Sequence, residues 1–452
     1  MNNMKTKRIV LENYENEFSY KKNKSNLNIT FNRIAFIFFI FLMICLIYSS
    51  KVFYLGSLKS DKKIEKIIHI NKNYRADILD NSGDIIAKSV NTQIVGINPA
   101  FIINKKKLLI RLKMIFPNKD FLKVDKKIQK NKYFRLQKEL TQLQIEELRL
   151  IGDKSIKFEE QITRLYPQKN LYSHIVGQID DQNNGISGIE KFFDYELKTR
   201  QKPLILSVDT NIQYLIREEL IRFQPIFRSK GSTAILMNVN SGDILAMVSI
   251  PDFNLNKRES VIDINYINRA TKAVYELGSV FKTFTIASGL NHGLIETDTE
   301  FKDLPKNLKC AGRLIREYDK KIPSNLTVEQ ILIRSGNIGS VRIAQKVGIE
   351  RFSKFLDDLG LQKKIEFDIE EVGKPISFRW GKCKLATASY GHGITTTPLQ
   401  LAKAYSIITN GGYDIRPTLI KSDLDRNKIT KKILNDGVSK KINLILRKIV
   451  TT

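Results

Sequence analysis

The stretch Tyr275-Glu276-Leu277-Gly278-Ser279-Val280-Phe281-Lys282-Thr283-Phe284-Thr285 decides the reading of this 452-residue chain. Ser279 and Lys282 stand three positions apart, just after Gly278, at the head of an apolar run containing Val280, Phe281, Phe284, Ile286 and Ala287. On a helix that spacing is nearly one turn, so the hydroxyl and the amine share a face. Burial among apolar neighbours disfavours the charged amine and lowers its pKa. A neutral amine beside a serine can take the hydroxyl proton, which makes a Ser-Lys nucleophile pair. The start of the helix adds partial positive charge where an oxyanion forms. The same spacing recurs at Ser19/Lys22 and Ser60/Lys63, in lysine-rich polar stretches where no packed helix buries the amine. Spacing alone therefore assigns no chemistry, and the surrounding chain must decide.

Immediately upstream, Thr233 to Val239 and Ile244 to Ile250 are two nearly continuous apolar strands around the turn Asn240-Ser241-Gly242-Asp243. Such strands predict a hairpin that is central in a sheet covered on both faces. Before them, Asp209 or Thr210 can cap a helix whose expected buried face is Ile212, Leu215, Ile216, Leu220 and Phe223. Downstream the chain reads as mainly helical. Thr327 caps a helix leading to Ser335, and Thr397-Pro398 opens a helix that runs to Thr409 and closes at Gly411-Gly412. Ser335-Gly336-Asn337 lies 335 − 279 = 56 residues after Ser279, at a helix end. Its hydroxyl can relay a proton and its amide can hold a peptide carbonyl. A capping serine and a turn asparagine give the same pattern, as Ser89-Val90-Asn91 shows.

Towards the N-terminus, Ile34 to Tyr48 is unbroken apolar sequence, and Val52 to Leu55 extends it past a small polar break. Counting from Phe31 to Leu55, the helix is long enough to cross roughly 30 Å of hydrocarbon. Lys5, Lys7, Arg8, Lys21, Lys22, Lys24 and Arg33 precede it, which puts the N-terminus in the cytoplasm. The basic lead is long for a cleaved signal peptide and no small-x-small cleavage site is clear. After this anchor, Arg75 to Ala87 reads as strand, turn and strand about Asn81-Ser82-Gly83. Residues 105–150 read as helical, with Leu136, Leu140, Leu143 and Leu148 on one apolar face. His174-Ile175-Val176-Gly177 and Gly185-Ile186-Ser187-Gly188-Ile189-Glu190 then form a glycine-punctuated region ending in an amphipathic helix.

Length calls for two or three domains, and 42% apolar with 27% charged residues describes globular material. The 75 basic against 47 acidic residues give a formal charge of +28. The lysines are spread along the chain without a basic stripe and interleaved aromatics, which argues against nucleic acid and for an anionic membrane surface or cell wall. Cys45, Cys310 and Cys383 give neither a disulfide framework nor a zinc signature, and the four histidines have no ligand spacing. No metal and no cofactor are expected.

The combined set resembles the class B penicillin-binding proteins, the monofunctional peptidoglycan transpeptidases, from the anchor to residue 452. The resemblance rests on the hairpin, Asn268-Arg269-Ala270, Tyr275-Glu276-x-Gly278-Ser279-x-Phe281-Lys282, Ser335-Gly336-Asn337, and Ala388-Ser389-Tyr390-Gly391-His392-Gly393 through Leu399-Gln400-Leu401-Ala402. Ser335-Gly336-Asn337-Ile338-Gly339 and Ser389-Tyr390-Gly391-His392-Gly393 are similar to the cell-division branch, the FtsI or penicillin-binding protein 3 type, more than to the elongation branch. The implied architecture is α+β. A cytoplasmic tail (1–30) and a single transmembrane helix (31–55) precede an elongated α/β pedestal of the dimerisation type (56–203). A transpeptidase domain of helices around an antiparallel sheet, similar to serine β-lactamases, follows (204–452). The implied place is the inner membrane, with the bulk of the chain periplasmic.

Carried over, Ser279 is the nucleophile on the penultimate D-alanyl carbonyl of a stem peptide and Lys282 its general base. Ser335 is the proton shuttle and Asn337 the residue that orients the substrate amide. Stem peptides and β-lactams are the implied ligands, and a septal glycosyltransferase and other division proteins the implied partners. Two departures qualify the match. Leu277 stands where the family has proline, which presets the turn before the helix. No Lys-Thr-Gly or Lys-Ser-Gly occurs in the 452 residues, so the resemblance implies a chain lacking the C-terminal strands that line the site. Loss of one oxyanion donor typically costs roughly 10²–10³ in rate, and weak penicillin labelling is the corresponding expectation. A non-catalytic division scaffold is the alternative; a β-lactam sensor or β-lactamase leaves the long segment between anchor and site without a role.

Overall fold

A computed structural model describes residues 24–57, 74–257, 264–376, 378–421 and 431–451. The basic tail up to residue 23, with Ser19/Lys22, and the Ser60/Lys63 pair lie outside the described residues. The chain forms two compact units, Met1–His69 and Ile70–Thr452. In the first, α1 (Lys24–Ser57) contains a 22-residue stretch, Arg33–Tyr54, long and apolar enough to cross a membrane.

The second unit begins with a mixed sheet built on one long strand. β1 (Ile78–Leu79) and β2 (Ile85–Ile97) form the expected strand, turn and strand, with Gly83 at φ +96° in the turn. Two helices, α2 (Lys105–Ile115) and α3 (Phe121–Gln129), start at Asn104 and Asp120, whose side chains accept from the first backbone N–H groups. β3 (Phe134–Gln137) follows, then α4 (Gln142–Ile151) with a capping box from Thr141 and Gln144, then β4 (Ile156–Leu165). β4 pairs antiparallel with β2 from Lys88–Leu165 to Ile97–Ile156. The reading of 105–150 as one helical stretch with a leucine face is corrected here. Leu136 lies on β3, Leu143 is exposed, and only Leu148 of that set packs from a helix into the core with Leu108, Leu112, Val124 and Ile128. Asn131 and Glu139, both at positive φ, break the helical path on either side of β3.

Short helices α5 (Ser173–Val176), α6 (Gly188–Phe192) and α7 (Asp194–Thr199) carry the glycine-punctuated region. A Cβ at Gly185 would stand 2.0 Å from the carbonyl oxygen of Glu190, so only glycine allows that approach. Close packing there brings Glu190 onto Arg75 and Arg164. Arg75 Nε donates to Glu190 Oε2 at 2.8 Å, Arg164 Nε to Glu190 Oε1 at 2.7 Å, and an Arg75 terminal nitrogen to Asp194 at 2.6 Å. Arg75 and Glu190 are fully buried.

β5 (Leu204–Ile205) runs parallel to β1. Asp209 caps α8 (Thr210–Phe227), while Thr210 donates to Asp80 in the β1–β2 turn. The expected buried face of α8 is corrected: Leu215 is 63% and Phe223 40% exposed, and Gln213 is the residue that is buried, bonded to Leu171 and Met247. β6 (Ser232–Met237) and β7 (Ile244–Ile250) form the expected antiparallel hairpin, packed by α8 on β7. β7 is buried, but β6 is only half-buried and has no further partner strand among the described residues. The expectation of strands covered on both faces therefore holds for β7 and fails for β6, and in this two-stranded sheet neither strand is central among the described residues.

A 3-10 turn (Gly278–Phe281) leads straight into α9 (Lys282–Asn291), every residue of which is buried up to Leu290. β8 (Glu300–Phe301), the hairpin β9 (Asn307–Cys310) with β10 (Arg313–Arg316), and β11 (Leu326–Thr327) precede α10 (Val328–Ile333). Then come α11 (Asn337–Val347), α12 (Ile349–Asp358), α13 (Lys382–Ala388), α14 (Pro398–Thr409) and α15 (Val438–Thr451). Phe281, Phe284, Ile331, Ile338, Phe352, Leu385, Ile407 and Ile442 join these helices in one core. The reading of the cysteines is also corrected. Cys310 at the end of β9 is bonded to Cys383 on α13, with Cα atoms 5.5 Å apart, a pairing that a separation of 73 residues does not announce.

Candidate active site

Three segments converge at the start of α9. The 3-10 turn leaves Ser279 exposed, and the next turn carries Lys282 inward to 1% exposure. Gly278, at φ +63°, lies against Gly391, where a Cβ would approach the Gly278 carbonyl oxygen to 1.9 Å. The Tyr390-Gly391-His392-Gly393 loop thus supports the turn through backbone contact, and Gly278 N–H donates to Gly391 O at 3.2 Å. Tyr275 is also bridged to Thr396, fixing the approach to Ser279 from the other side.

The Ser335-Gly336-Asn337 segment sits between α10 and α11. α10 opens on a capping box from Thr327 and Gln330 and ends at Ile333. Ser335 N–H then donates to Leu332 O at 3.0 Å and Gly336 N–H to Ile331 O at 2.9 Å. This leaves Ser335 at φ +53°, a left-handed conformation that a serine adopts only under constraint. The turn directs Ser335 at Lys282. Lys282 Nζ is 3.2 Å from Ser279 Oγ, 2.8 Å from Ser335 Oγ and 2.6 Å from the Ser335 carbonyl oxygen.

No carboxylate touches Lys282 among the described residues, and burial lowers its pKa to about 8, against a smaller opposing pull from the charge of Glu317. In the neutral form the amine can donate to both Ser335 oxygens and accept from the Ser279 hydroxyl. Asn337 stands at the mouth, half-buried, its Nδ2 donating to Arg316 O at 2.8 Å. Ser279, Lys282 and Ser335 are brought into hydrogen-bond contact, whereas Asn337, two residues beyond Ser335, directs its amide to the Arg316 carbonyl and bonds to none of the three among the described residues.

Residues 232–452 match the penicillin-binding protein transpeptidase domain, and residues 70–221 match the penicillin-binding protein dimerisation domain. The chain belongs to the penicillin-binding proteins of the FtsI type. A probable peptidoglycan D,D-transpeptidase FtsI of Caulobacter vibrioides is 30% identical over 352 residues, covering 77% of this chain and 59% of the relative. The FtsI of Buchnera aphidicola is 28% identical, over 90% of this chain and 78% of the relative. That of Escherichia coli K12 is 29% identical, over 61% and 50%. The chain thus spans about three fifths of the Caulobacter relative and half of the Escherichia one.

Within this penicillin-binding fold, sequence reasoning missed three neighbours of the site. Glu317, after β10, accepts from Asn337 N–H at 2.6 Å and from Ile338 N–H at 2.9 Å. Arg316 supplies the carbonyl that holds the Asn337 side chain. Tyr405 of α14 donates to Val280 O at 2.8 Å and lies 3.0 Å from Thr283 Oγ1, so it braces the turn from behind. Glu317 and Arg316 are remote in sequence from both motifs and carry no spacing signal. Tyr405 follows the helix-opening Thr397-Pro398 by two turns, but its direction depends on how α14 packs.

Proposed function

We propose that this chain is a membrane-anchored peptidoglycan D,D-transpeptidase acting by serine acyl transfer at Ser279. The observation that carries the reading is the buried amine of Lys282 in contact with the hydroxyls of both Ser279 and Ser335. Ser279 Oγ attacks the penultimate D-alanyl carbonyl carbon while its proton passes to neutral Lys282 Nζ. Lys282 hands that proton through Ser335 Oγ to the departing amine, the peptide C–N bond breaks, and terminal D-alanine leaves. An amine of a neighbouring stem peptide then attacks the ester carbonyl, gives up its proton to the same relay, and releases Ser279. Asn337 orients the substrate amide throughout. A β-lactam follows the first half of this path and remains as the ester.

The place of the reaction is part of the proposal. The apolar α1 serves as the anchor with the basic N-terminus in the cytoplasm, and the pedestal, bounded near residue 203, binds septal partners including a glycosyltransferase. The Cys310–Cys383 bond supports an oxidising compartment for the catalytic part.

Incubation with fluorescent penicillin followed by peptide mass spectrometry tests the reading. A covalent adduct on Ser279, lost in Ser279→Ala and strongly slowed in Lys282→Ala, is expected. A second reading, a non-catalytic division scaffold, is favoured by the half-buried β6, whose outer edge has no partner among the described residues. No adduct on the folded chain after prolonged exposure would select it.

A further inference from the structure

We propose that Glu317 is a positioning residue of this serine-lysine site, fixing the Ser335-Gly336-Asn337 turn from which the Ser335 hydroxyl meets Lys282. The inference rests on the serine-lysine reading above. α11 begins directly after Gly336, whose missing side chain cannot cap it. Its first backbone N–H groups need an acceptor from elsewhere. Glu317 supplies both: one carboxylate oxygen takes Asn337 N–H and the other takes Ile338 N–H. A charged acceptor at a helix N-terminus forms strong, oriented hydrogen bonds there. The adjacent Arg316 carbonyl takes the Asn337 side-chain amide. Residues 316 and 317 therefore fix both the backbone and the side chain of Asn337, and with them the left-handed Ser335 two residues back.

Delivery of Glu317 depends on the β9–β10 hairpin. Ile315 of β10 is buried in the helical core, and the opposite strand ends at Cys310, bonded to Cys383 on α13. α13 in turn packs on α11. The hairpin is thus held at both its tip and its base against the helix that Glu317 caps.

The groups facing Lys282 are Ser279 from the 3-10 turn, Ser335 from the turn ahead of α11, and Glu317 from the end of β10. Glu276 and His392, on the flanking loops, pair with each other at 3.0 Å, and Tyr405 faces Thr283 rather than the amine. Burial drives the Lys282 proton off, and the negative charge of Glu317 opposes that drive.

The experiment compares wild type with Glu317→Gln in the full chain, and with a Cys310→Ser/Cys383→Ser double variant. Ser279 acylation by penicillin is followed from pH 6 to pH 10, and Lys282 is titrated directly by NMR of its 13C-labelled ε-carbon. For Glu317→Gln the Lys282 midpoint is expected to fall and the high-pH acylation rate to drop about tenfold. The double variant is expected to lower the plateau without removing the charge. A high-pH acylation rate unchanged by Glu317→Gln overturns the proposal, whatever the Lys282 midpoint does. If wild type forms no Ser279 adduct, the acyl-transfer reading fails, and the Lys282 ε-carbon chemical shift below the midpoint, changed or unchanged in Glu317→Gln, then upholds or overturns the Glu317 role by itself.

Discussion

Two fully enclosed cationic side chains in this molecule are handled in opposite ways. Arg75 in the N-terminal sheet region meets two carboxylates, Glu190 and Asp194, and shares Glu190 with Arg164. Among the described residues, Lys282 in the helical region meets only hydroxyls and a carbonyl. Burial is equally complete at Arg75 and Lys282. The paired guanidinium ties Arg75, β4 and α6 together. The unpaired amine keeps its hydrogen bonds but loses proton affinity, to a pKa of about 8. Pairing turns a buried charge into a structural tie; withholding the carboxylate leaves an amine that gives up its proton more readily.

Breaking the paired side should have the largest effect. Glu190→Ala leaves Arg75 and Arg164 without their shared carboxylate, with Asp194 and two backbone carbonyls, of Asn183 and residue 190, remaining to Arg75. Loss of about 3–5 kcal/mol of stability is expected, read by urea unfolding of the chain. A loss below about 1 kcal/mol would mean that water or Asp194 replaces Glu190, and the comparison would fail on that side.

Breaking the unpaired side should act in the other direction. The unfolded chain binds the Lys282 proton up to a pKa of 10.5, the folded chain only up to about 8. Between those values the unfolded state holds more protons, so the stability of wild type rises with pH across that window. Below pH 8 the penalty of burying the charged amine is fully present. Lys282→Met removes it and is expected to gain up to about 3 kcal/mol at pH 7, converting the pKa difference at about 1.4 kcal/mol per unit. The gain should shrink towards zero as the pH approaches 10.5, while acylation of Ser279 is abolished throughout. Thermal melts at pH 7 and pH 10 check the sign; equal gains at both would show that packing, and not the charge, sets the effect.

The two sides also differ in how far the sequence disclosed them. Ser279 and Lys282 were legible because their relation is local, three residues on one helical path. Ser335 and Asn337 were legible through the family pattern; the structure puts Ser335 on the Lys282 amine, while the Asn337 amide turns to the Arg316 carbonyl. Glu317 was not, because its role depends on a hairpin folding back over twenty residues onto a helix start that Gly336 leaves uncapped. The Cys310–Cys383 pairing was missed for the same reason: two distant segments are brought together by the packing of α13 on α11. In the sheet region, strand, turn and strand at Arg75–Ala87 followed from turn chemistry. The leucines of 136–148 misled, since their spacing fits a helix while Asn131 and Glu139 interrupt the backbone at positive φ. On α8 the apolar stripe was real, but Leu215 and Phe223 are exposed among the described residues.

A smaller comparison uses one local device present in both regions. Thr141 and Gln144 form a capping box at the start of α4, and Thr327 and Gln330 form the same box at the start of α10. Both threonine side chains bond to the N3 backbone amide. Thr141→Ala and Thr327→Ala should each cost about 1 kcal/mol, because the local chemistry is the same. Their functional consequences should differ. α4 ends at Gly152 and packs in a core that contains no site residue, whereas α10 ends on the Ile331 and Leu332 carbonyls that hold Gly336 and Ser335. Fraying at Thr327 is transmitted over two turns to the Ser335 hydroxyl, so Thr327→Ala should slow Ser279 acylation severalfold while Thr141→Ala leaves the rate unchanged. Equal rates in the two variants, at equal loss of stability, would show that the left-handed Ser335 is held by Glu317 and the α11 start alone, with α10 contributing nothing to its placement.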